Sequence, residues 1–393
     1  MGHKNRCLAE PTYKVIPVIT PRIYFFANFG NWNRQPYGGG EIGNRRTLGM
    51  MRKAGYDVRL IEKYNRVSKH TLRDILIIIY LMAWNIIKFF CILFFGRRKN
   101  SLVHIAGFYG STIYFERILV GISHLLGYRT IYEMRGGGAT YHYEHGTKCY
   151  CQIFIATIRK ANYIFSQGME NKPLLDDIVP QKHFFYYPNC VMRDFCPDIY
   201  PNKPTDRINL LYFGRISKQK NVDIVVETFN LLATKYDNIY LDIIGNCTET
   251  DYAKEIIQRI DSSEYSDRIT MHPACDHNKL KEYLSDKHIY LFPTQEPREG
   301  HSNALTEAMS WGLIPVATDI GFNRTIVGND GLIVEELSPE AFALAVTRII
   351  ESEKLQELSK QVYQRIQNNY TEDIVYKRLK EEYNTLFNLQ TTD

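Results

Sequence analysis

Arg298-Glu299-Gly300-His301-Ser302-Asn303-Ala304-Leu305-Thr306-Glu307-Ala308-Met309 is the stretch on which the reading of this chain turns. It follows an apolar run, Ile289-Tyr290-Leu291-Phe292-Pro293, with the length of a buried strand and a proline to stop it. Ser302 and Asn303 are helix-capping types, Ala304 to Trp311 is good helix material, and Gly312 closes it. The unit is strand, loop, helix. The start of such a helix offers backbone N–H groups without intrahelical partners and a positive dipole end, which suits phosphate. Glu299 in the loop and Glu307 in the helix flank it, and carboxylates accept hydrogen bonds from hydroxyl pairs. An acid for a sugar, amides for a diphosphate and an acid for a ribose add up to a nucleotide-sugar site.

The spacing Glu299-x7-Glu307 followed by Ala308-Met309 resembles the signature of family 4 glycosyltransferases, which have the GT-B fold. The resemblance implies that Glu299 contacts the donor sugar, that Glu307 holds the ribose hydroxyls, and that Gly300, His301, Ser302, Asn303 and Ala304 line the phosphates. On the residues alone, an ordinary amphipathic helix with one exposed glutamate is the competing reading.

Around this unit, 393 residues suit two domains, each able to bury a core. The net charge of +5 hides an asymmetry: residues 1–200 carry 27 Lys+Arg against 13 Asp+Glu, and residues 201–393 carry 21 against 30. A basic first half points to an anionic partner. The eight cysteines form no Cys-x-x-Cys pair, and Cys149-x-Cys151 and Cys190-x5-Cys196 lack the partners of a zinc site, so reduced thiols are expected. Met1 to Lys14 is polar, without the apolar core of a signal peptide, and the expected location is the cytoplasm.

The first half opens β-α-β, with strands at Arg22 to Asn28 and Val58 to Ile61. Between them Gly38, Gly40 and Gly43 fit G-x-G-x-x-G, and Glu62 stands near the place of a ribose-binding acid, so an NAD(P)-dependent oxidoreductase is a rival. Against it, the glycines lie well beyond the strand end instead of in the tight turn after it. Gly38-Gly39-x-Glu41 also resembles the glycine loop of family 4 enzymes, which places Gly39 at the donor and Gly40 and Glu41 on the acceptor side. A flexible turn remains the plain alternative. After the strand Thr130 to Glu133, Arg135 stands where many family members carry a histidine; it is positioned to grip a phosphate with both arms of its fork. That departure leaves His142 and His145 as further acceptor-side candidates, or as ordinary surface histidines.

Ile75 to Phe95 is the most apolar stretch, interrupted by Asn85 and Lys88 and flanked by Arg73 and Arg97-Arg98-Lys99. Three readings compete. A buried helix or helix pair ranks first and an interfacial membrane helix second; a transmembrane span would break the β-α-β order. Pro197, Pro201 and Pro204 mark a linker, which divides the chain into an acceptor domain, 1–202, and a donor domain, 203–393. In the second half Gly214-Arg215 with Lys220 resembles the family's Gly-Arg…Lys motif, whose cations neutralise the departing diphosphate. The chain has no Asp-x-Asp, so no metal and no cofactor are expected, and a fixed cation must stabilise the leaving oxygen. The last helix, Asp373 to Leu389, is expected to cross back to the first domain, as in GT-B proteins.

These readings predict an α/β fold of two Rossmann-like domains around a cleft, and a retaining, metal-independent transfer from a nucleoside-diphosphate sugar. The acceptor expected from the basic, apolar first half is a lipid-diphosphate-linked glycan, met at the cytoplasmic face of an anionic membrane during surface polysaccharide synthesis; no nucleic acid is expected. A nucleotide-sugar epimerase on the same fold and a non-catalytic sugar-binding protein are the other rivals.

Overall fold

The computed structural model describes residues 20–34, 39–63, 71–247, 249–296, 298–329 and 331–389. Gly38, part of the glycine-motif reading, and the polar stretch Met1 to Lys14 lie outside the described residues.

The chain alternates strand and helix throughout, as its apolar runs and breakers predict. In the first domain the order is β1 (Arg22–Ala27), α1 (Gly39–Lys53), β2 (Asp57–Glu62), α2 (Leu72–Phe94), β3 (Ser101–Gly107), α3 (Ile113–Leu125), β4 (Arg129–Met134), α4 (Ala139–Glu144), α5 (Lys148–Lys160), β5 (Tyr163–Ser166), α6 (Lys172–Ile178) and β6 (His183–Tyr186). The second domain follows with β7 (Ile208–Phe213), α7 (Val222–Ala233), β8 (Ile239–Ile244), α8 (Thr250–Asp261), β9 (Ile269–His272), α9 (His277–Leu284), β10 (Ile289–Phe292), α10 (Asn303–Ser310), β11 (Ile314–Thr318), α11 (Asn323–Val327), β12 (Leu332–Val334), α12 (Pro339–Glu351), α13 (Leu355–Asn369) and α14 (Glu372–Phe387).

Each domain is built on one parallel sheet of six strands, ordered β2-β1-β3-β4-β5-β6 and β12-β11-β10-β7-β8-β9. Both orders reverse direction beside the first strand of their half, which opens a crevice at the carboxyl ends of the strands. The central strands β1, β3, β4, β7 and β10 are almost wholly buried, as parallel strands covered on both faces must be.

Two features differ from the sequence expectation. The first is the crossing between domains. Tyr187 and Cys190 belong to the first domain's core, while Val191 and Phe195 already pack into the second. Val191 pairs with Thr371 there, so the chain changes domain ahead of the proline-rich segment and of the 202/203 division. The prolines only space out a segment that is already attached. α14 then returns: Val375, Leu379 and Tyr383 pack with Phe25, Leu48 and Tyr56 of the first domain.

The second is α2. Its reading as a core helix is overturned, because only Asp74, Asn85, Phe89 and Leu93 of its 23 residues are buried. Leu76, Ile79, Tyr80 and Ile87 are more than half exposed. Both ends of α2 join strands of one sheet, β2 and β3, so the helix lies along the domain surface as a crossover connection. Its apolar face points outward because the narrow inward stripe is already filled by Phe89, Leu93 and two polar residues.

Candidate active site

The carboxyl ends of both sheets face a cleft of about 320 Å³. On the second domain's side, the loop after β7 and the loop after β10 are tied together. Asn221 takes a left-handed conformation (φ 48°) that turns the chain into α7, and its Nδ2 donates to the Pro293 carbonyl at 2.7 Å. That tie carries Lys220 onto the other loop. Its Nζ forms a close ion pair with Glu299 Oε2, reaches Thr294 Oγ1 at 3.3 Å and lies 5.0 Å above the Phe292 ring. Gly214 and the exposed Arg215 continue this wall. Next to them Ser302 caps α10, accepting from the Leu305 N–H at 3.3 Å. The amides of Asn303 and Ala304, in the helix's first turn, have no intrahelical acceptor and stand at the cleft.

His301 lines the same wall but is buried; its ring packs 5.3 Å from that of Tyr370, and among the described residues neither nitrogen has a hydrogen-bond partner. Burial pushes its pKa down to about 3, so it is neutral at physiological pH. Glu307 sits one turn deeper in α10, outside the cleft lining, 3.6 Å from His277 Nε2. Burial raises its pKa to about 7, against a smaller lowering by Arg46 of α1.

On the first domain's side, Gly39, Gly40, Phe108, Arg135, Gly136, Gln167 and Asn189 complete the wall. Arg135 is where the sequence reading misjudged geometry. Its Nε lies 2.8 Å from Glu133 Oε1, a contact too bent to count as a hydrogen bond, and its Nη2 donates to Glu133 Oε2 at 3.0 Å and to Thr47 Oγ1 at 3.1 Å. With Nη2 donating to both Glu133 and Thr47 and Nε held against Glu133 by charge, Arg135 cannot grip a phosphate with both arms of its fork.

Three acceptor-side candidates stand away from this cleft. Glu41 turns from it toward Gly30 and Arg34, its carboxylate 3.8 Å from the guanidinium. His142 is half-buried beside Tyr109, its pKa lowered by burial and then by Arg298. His145 is exposed and stacks on Tyr141 at 4.4 Å.

Sequence reasoning missed Phe108, Gly136, Gln167, Asn189 and Tyr212. Phe108 and Gln167 directly follow β3 and β5, so the rule that ligands meet the carboxyl ends of parallel strands was signal enough for them. Gln167 and Asn189 also bridge the domains. Gly136 N–H donates to Gln167 Oε1, Gln167 Nε2 to Asn189 Oδ1, and Asn189 Nδ2 to the His301 carbonyl, at 3.3, 2.9 and 2.9 Å.

Glycines make this approach possible. A Cβ at Gly137 would sit 2.0 Å from the Glu299 carbonyl oxygen and 2.7 Å from Gly321 Cα. Phe322 is buried against Gly168 of the first domain. The neighbouring Thr325 N–H donates to Glu170 Oε1 at 2.9 Å, so an acid of the first domain meets this loop of the second.

Residues 200–368 match the family model described as "Glycosyl transferases group 1". They are a group 1 glycosyl transferase domain. The cleft loops from Gly214 to Ala304 all fall inside it. The capsular polysaccharide biosynthesis glycosyltransferase CapM of Staphylococcus aureus is 29% identical over 190 residues, 46% of this chain and 47% of that protein. The gpi3 subunit of the phosphatidylinositol N-acetylglucosaminyltransferase of Schizosaccharomyces pombe is 22% identical over 42% of this chain and 36% of its own length. The chain thus matches less than half the length of each of these curated relatives. The whole fold resembles solved structures. Sucrose-phosphate synthase from Thermosynechococcus elongatus superposes with a TM-score of 0.68 at 16% identity, over 94% of this chain and 99% of that one. Anabaena HepE in complex with UDP superposes at 0.65 and 12%, over 93% and 100%. The two facing sheets are the GT-B fold.

Proposed function

We propose that this protein is a retaining, metal-independent glycosyltransferase of family 4. It moves a sugar from a nucleoside-diphosphate donor to a hydroxyl of a glycan acceptor carried on a lipid diphosphate. The observation that carries the reading is the Lys220–Glu299 pair beside the first turn of α10. A diphosphate at that turn would meet backbone N–H groups, and Lys220, with Arg215 next to it, would neutralise the charge that grows on the leaving oxygen. As Lys220 turns to the phosphate, Glu299 is released to accept hydrogen bonds from sugar hydroxyls. Among the described residues that line the cleft, no carboxylate besides Glu299 stands as a nucleophile. We therefore favour same-face displacement, in which the leaving phosphate accepts the proton of the acceptor hydroxyl.

Two observations weigh against the nicotinamide rival. α1 begins at Gly39, far from the end of β1 at Ala27, and Glu62 Oε1 already accepts from Trp32 Nε1 at 2.6 Å. Incubation with a panel of UDP- and GDP-sugars, with and without acceptor, tests the reading. Acceptor-dependent release of nucleoside diphosphate and an unchanged anomeric configuration in the product are expected. Isomerised donor without acceptor would favour the epimerase, and no turnover with any donor would remove the enzyme reading.

The acceptor and location rest on α2. Its outward apolar face, with Arg73 at one end and the exposed Arg98 and Lys99 beyond the other, suits the surface of an anionic membrane. Nearby basic residues contribute about 1 kcal/mol each there, and insertion of the apolar face adds to that. We place the protein on the cytoplasmic face, extending a lipid-linked precursor of a surface polysaccharide. It should sediment with anionic liposomes at low salt and be only partly released at high salt. Serine at Leu76, Ile79 and Ile87 should abolish the salt-resistant fraction; a wild-type protein that stays in the supernatant would favour a soluble acceptor.

A further inference from the structure

Behind the cleft wall, polar side chains cross the apolar core of the first domain in one unbroken line. Tyr383 of α14 meets His104 of β3 (Oη to Nδ1, 2.5 Å), His104 meets Glu133 of β4 (Nε2 to Oε2, 2.9 Å), and Glu133 holds Arg135. Glu133 and His104 are fully buried, Tyr383 likewise, and Arg135 is 3% exposed.

Every proton in this line has one place. Burial pulls the Glu133 carboxyl upward, but Arg135 and His104 outweigh it and hold it below the usual carboxylate range. An ionised carboxylate only accepts, so His104 carries its hydrogen on Nε2. Burial lowers the His104 pKa, the ring is neutral, and Nδ1 accepts from the Tyr383 hydroxyl. A buried ion pair is commonly no more stabilising than apolar packing of the same volume, so stability does not account for this line.

The line ends on an arm of the guanidinium that no acid holds. Among the described residues Arg135 Nη1 is buried without any partner, while Nε, which also makes no hydrogen bond, is held by its ion contact with Glu133 Oε1. Nη1 lies where a Cβ on Gly43 would come within 2.8 Å, beside a recess of about 10 Å³ lined by Gly43, Thr47 and Asn189. That is room for a single oxygen. Because Glu133 already balances the guanidinium charge, Nη1 suits a neutral hydroxyl better than a phosphate.

We propose that Tyr383, His104 and Glu133 are positioning residues that aim Arg135 Nη1 at a hydroxyl of a sugar bound in the cleft. The docking of α14 on the first domain thereby sets the aim of a substrate-reading donor. The inference rests on the nucleotide-sugar reading of the cleft, and the sugar can be the donor's or the acceptor's.

The test uses the full chain with Arg135→Lys, Gly43→Ala and Tyr383→Phe. Gly43→Ala is informative because its methyl displaces Nη1, while the better helix propensity of alanine offsets part of the strain this puts on the buried Arg135–Glu133 pair. In one arm, UDP and UDP-N-acetylglucosamine are titrated calorimetrically; in the other, UDP release is followed against an octyl glycoside acceptor at saturating donor. Loss of one aimed hydrogen bond weakens one arm about tenfold in Arg135→Lys and Gly43→Ala, and about threefold in Tyr383→Phe, with UDP affinity unchanged. A loss confined to the first arm assigns the donor's sugar, and a loss confined to the second the acceptor's. Wild-type values in both arms for all three variants overturn the proposal and leave Nη1 to a trapped water. If the wild-type protein binds no nucleotide sugar, the functional reading has failed instead. The ¹⁵N spectrum of His104 still tests the aiming line: one Nε2–H tautomer is expected in the wild type and a mixture in Tyr383→Phe, and a mixture in the wild type overturns it.

Discussion

The two sheets present the cleft with the same device in two environments. Lys220 and Glu299 pair at the edge of the second sheet with side chains 17% and 13% exposed; Arg135 and Glu133 pair at the edge of the first with 3% and 0%. A pair that water still reaches costs little to open, so Lys220 can trade Glu299 for a phosphate and free the acid for hydroxyls. A pair sealed in the core cannot be traded, because either ion left alone would be buried without compensation. The same chemistry therefore serves as a working contact on one side and as fixed scaffolding on the other.

The contrast can be broken at four points. The largest effect is expected from Glu133→Ala, which strands Arg135 and should cost about 3–5 kcal/mol in denaturant unfolding. A loss below about 1 kcal/mol would mean that water reaches the pair. Lys220→Ala should leave folding intact and lower turnover about a hundredfold, with a smaller fall in donor affinity. Near-wild-type turnover at saturating donor would end the metal-free account of the leaving group.

Glu307 should make stability depend on pH. Its pKa is about 7 when folded and 4.5 in its ordinary state, so the folded protein holds the extra proton between those values. Stability should therefore fall as pH rises from about 4.5 to about 7 and level off above. Glu307→Gln should remove a difference on the order of 2 kcal/mol between melting at pH 5 and at pH 8. Equal pH profiles for the two proteins would show that Glu307 is hydrated. Glu299→Gln is expected to change stability least, within about 1 kcal/mol, while lowering turnover of the sugar donor more than binding of the bare nucleotide. Equal losses for nucleotide and nucleotide sugar would remove Glu299 from the sugar pocket.

How far each feature could be read from the chain follows from the range of the forces behind it. The α10 unit was legible because a strand, a capping serine and a helix are decided within a dozen neighbouring residues. Glu133 and Arg135 could have been paired in advance, since Arg135 directly continues β4 and positions i and i+2 of an extended chain point to one face. α2 could not have been placed in this way, because a helix apolar on all sides does not say which side is covered.

By itself the sequence determined the two α/β halves, the loops at their strand ends, and the acids and cations that stand in those loops. These depend on local backbone preferences and on the period of the apolar residues. Only the tertiary structure decided that Lys220 meets Glu299, that Gly137 lies against Glu299 and Gly321, and that Tyr383 reaches His104 across 279 positions of the chain. It also decided that Glu307 is buried and the outer face of α2 is not. Burial and ion pairing depend on which distant segments come to share a volume from which water is excluded, and no local pattern carries that information.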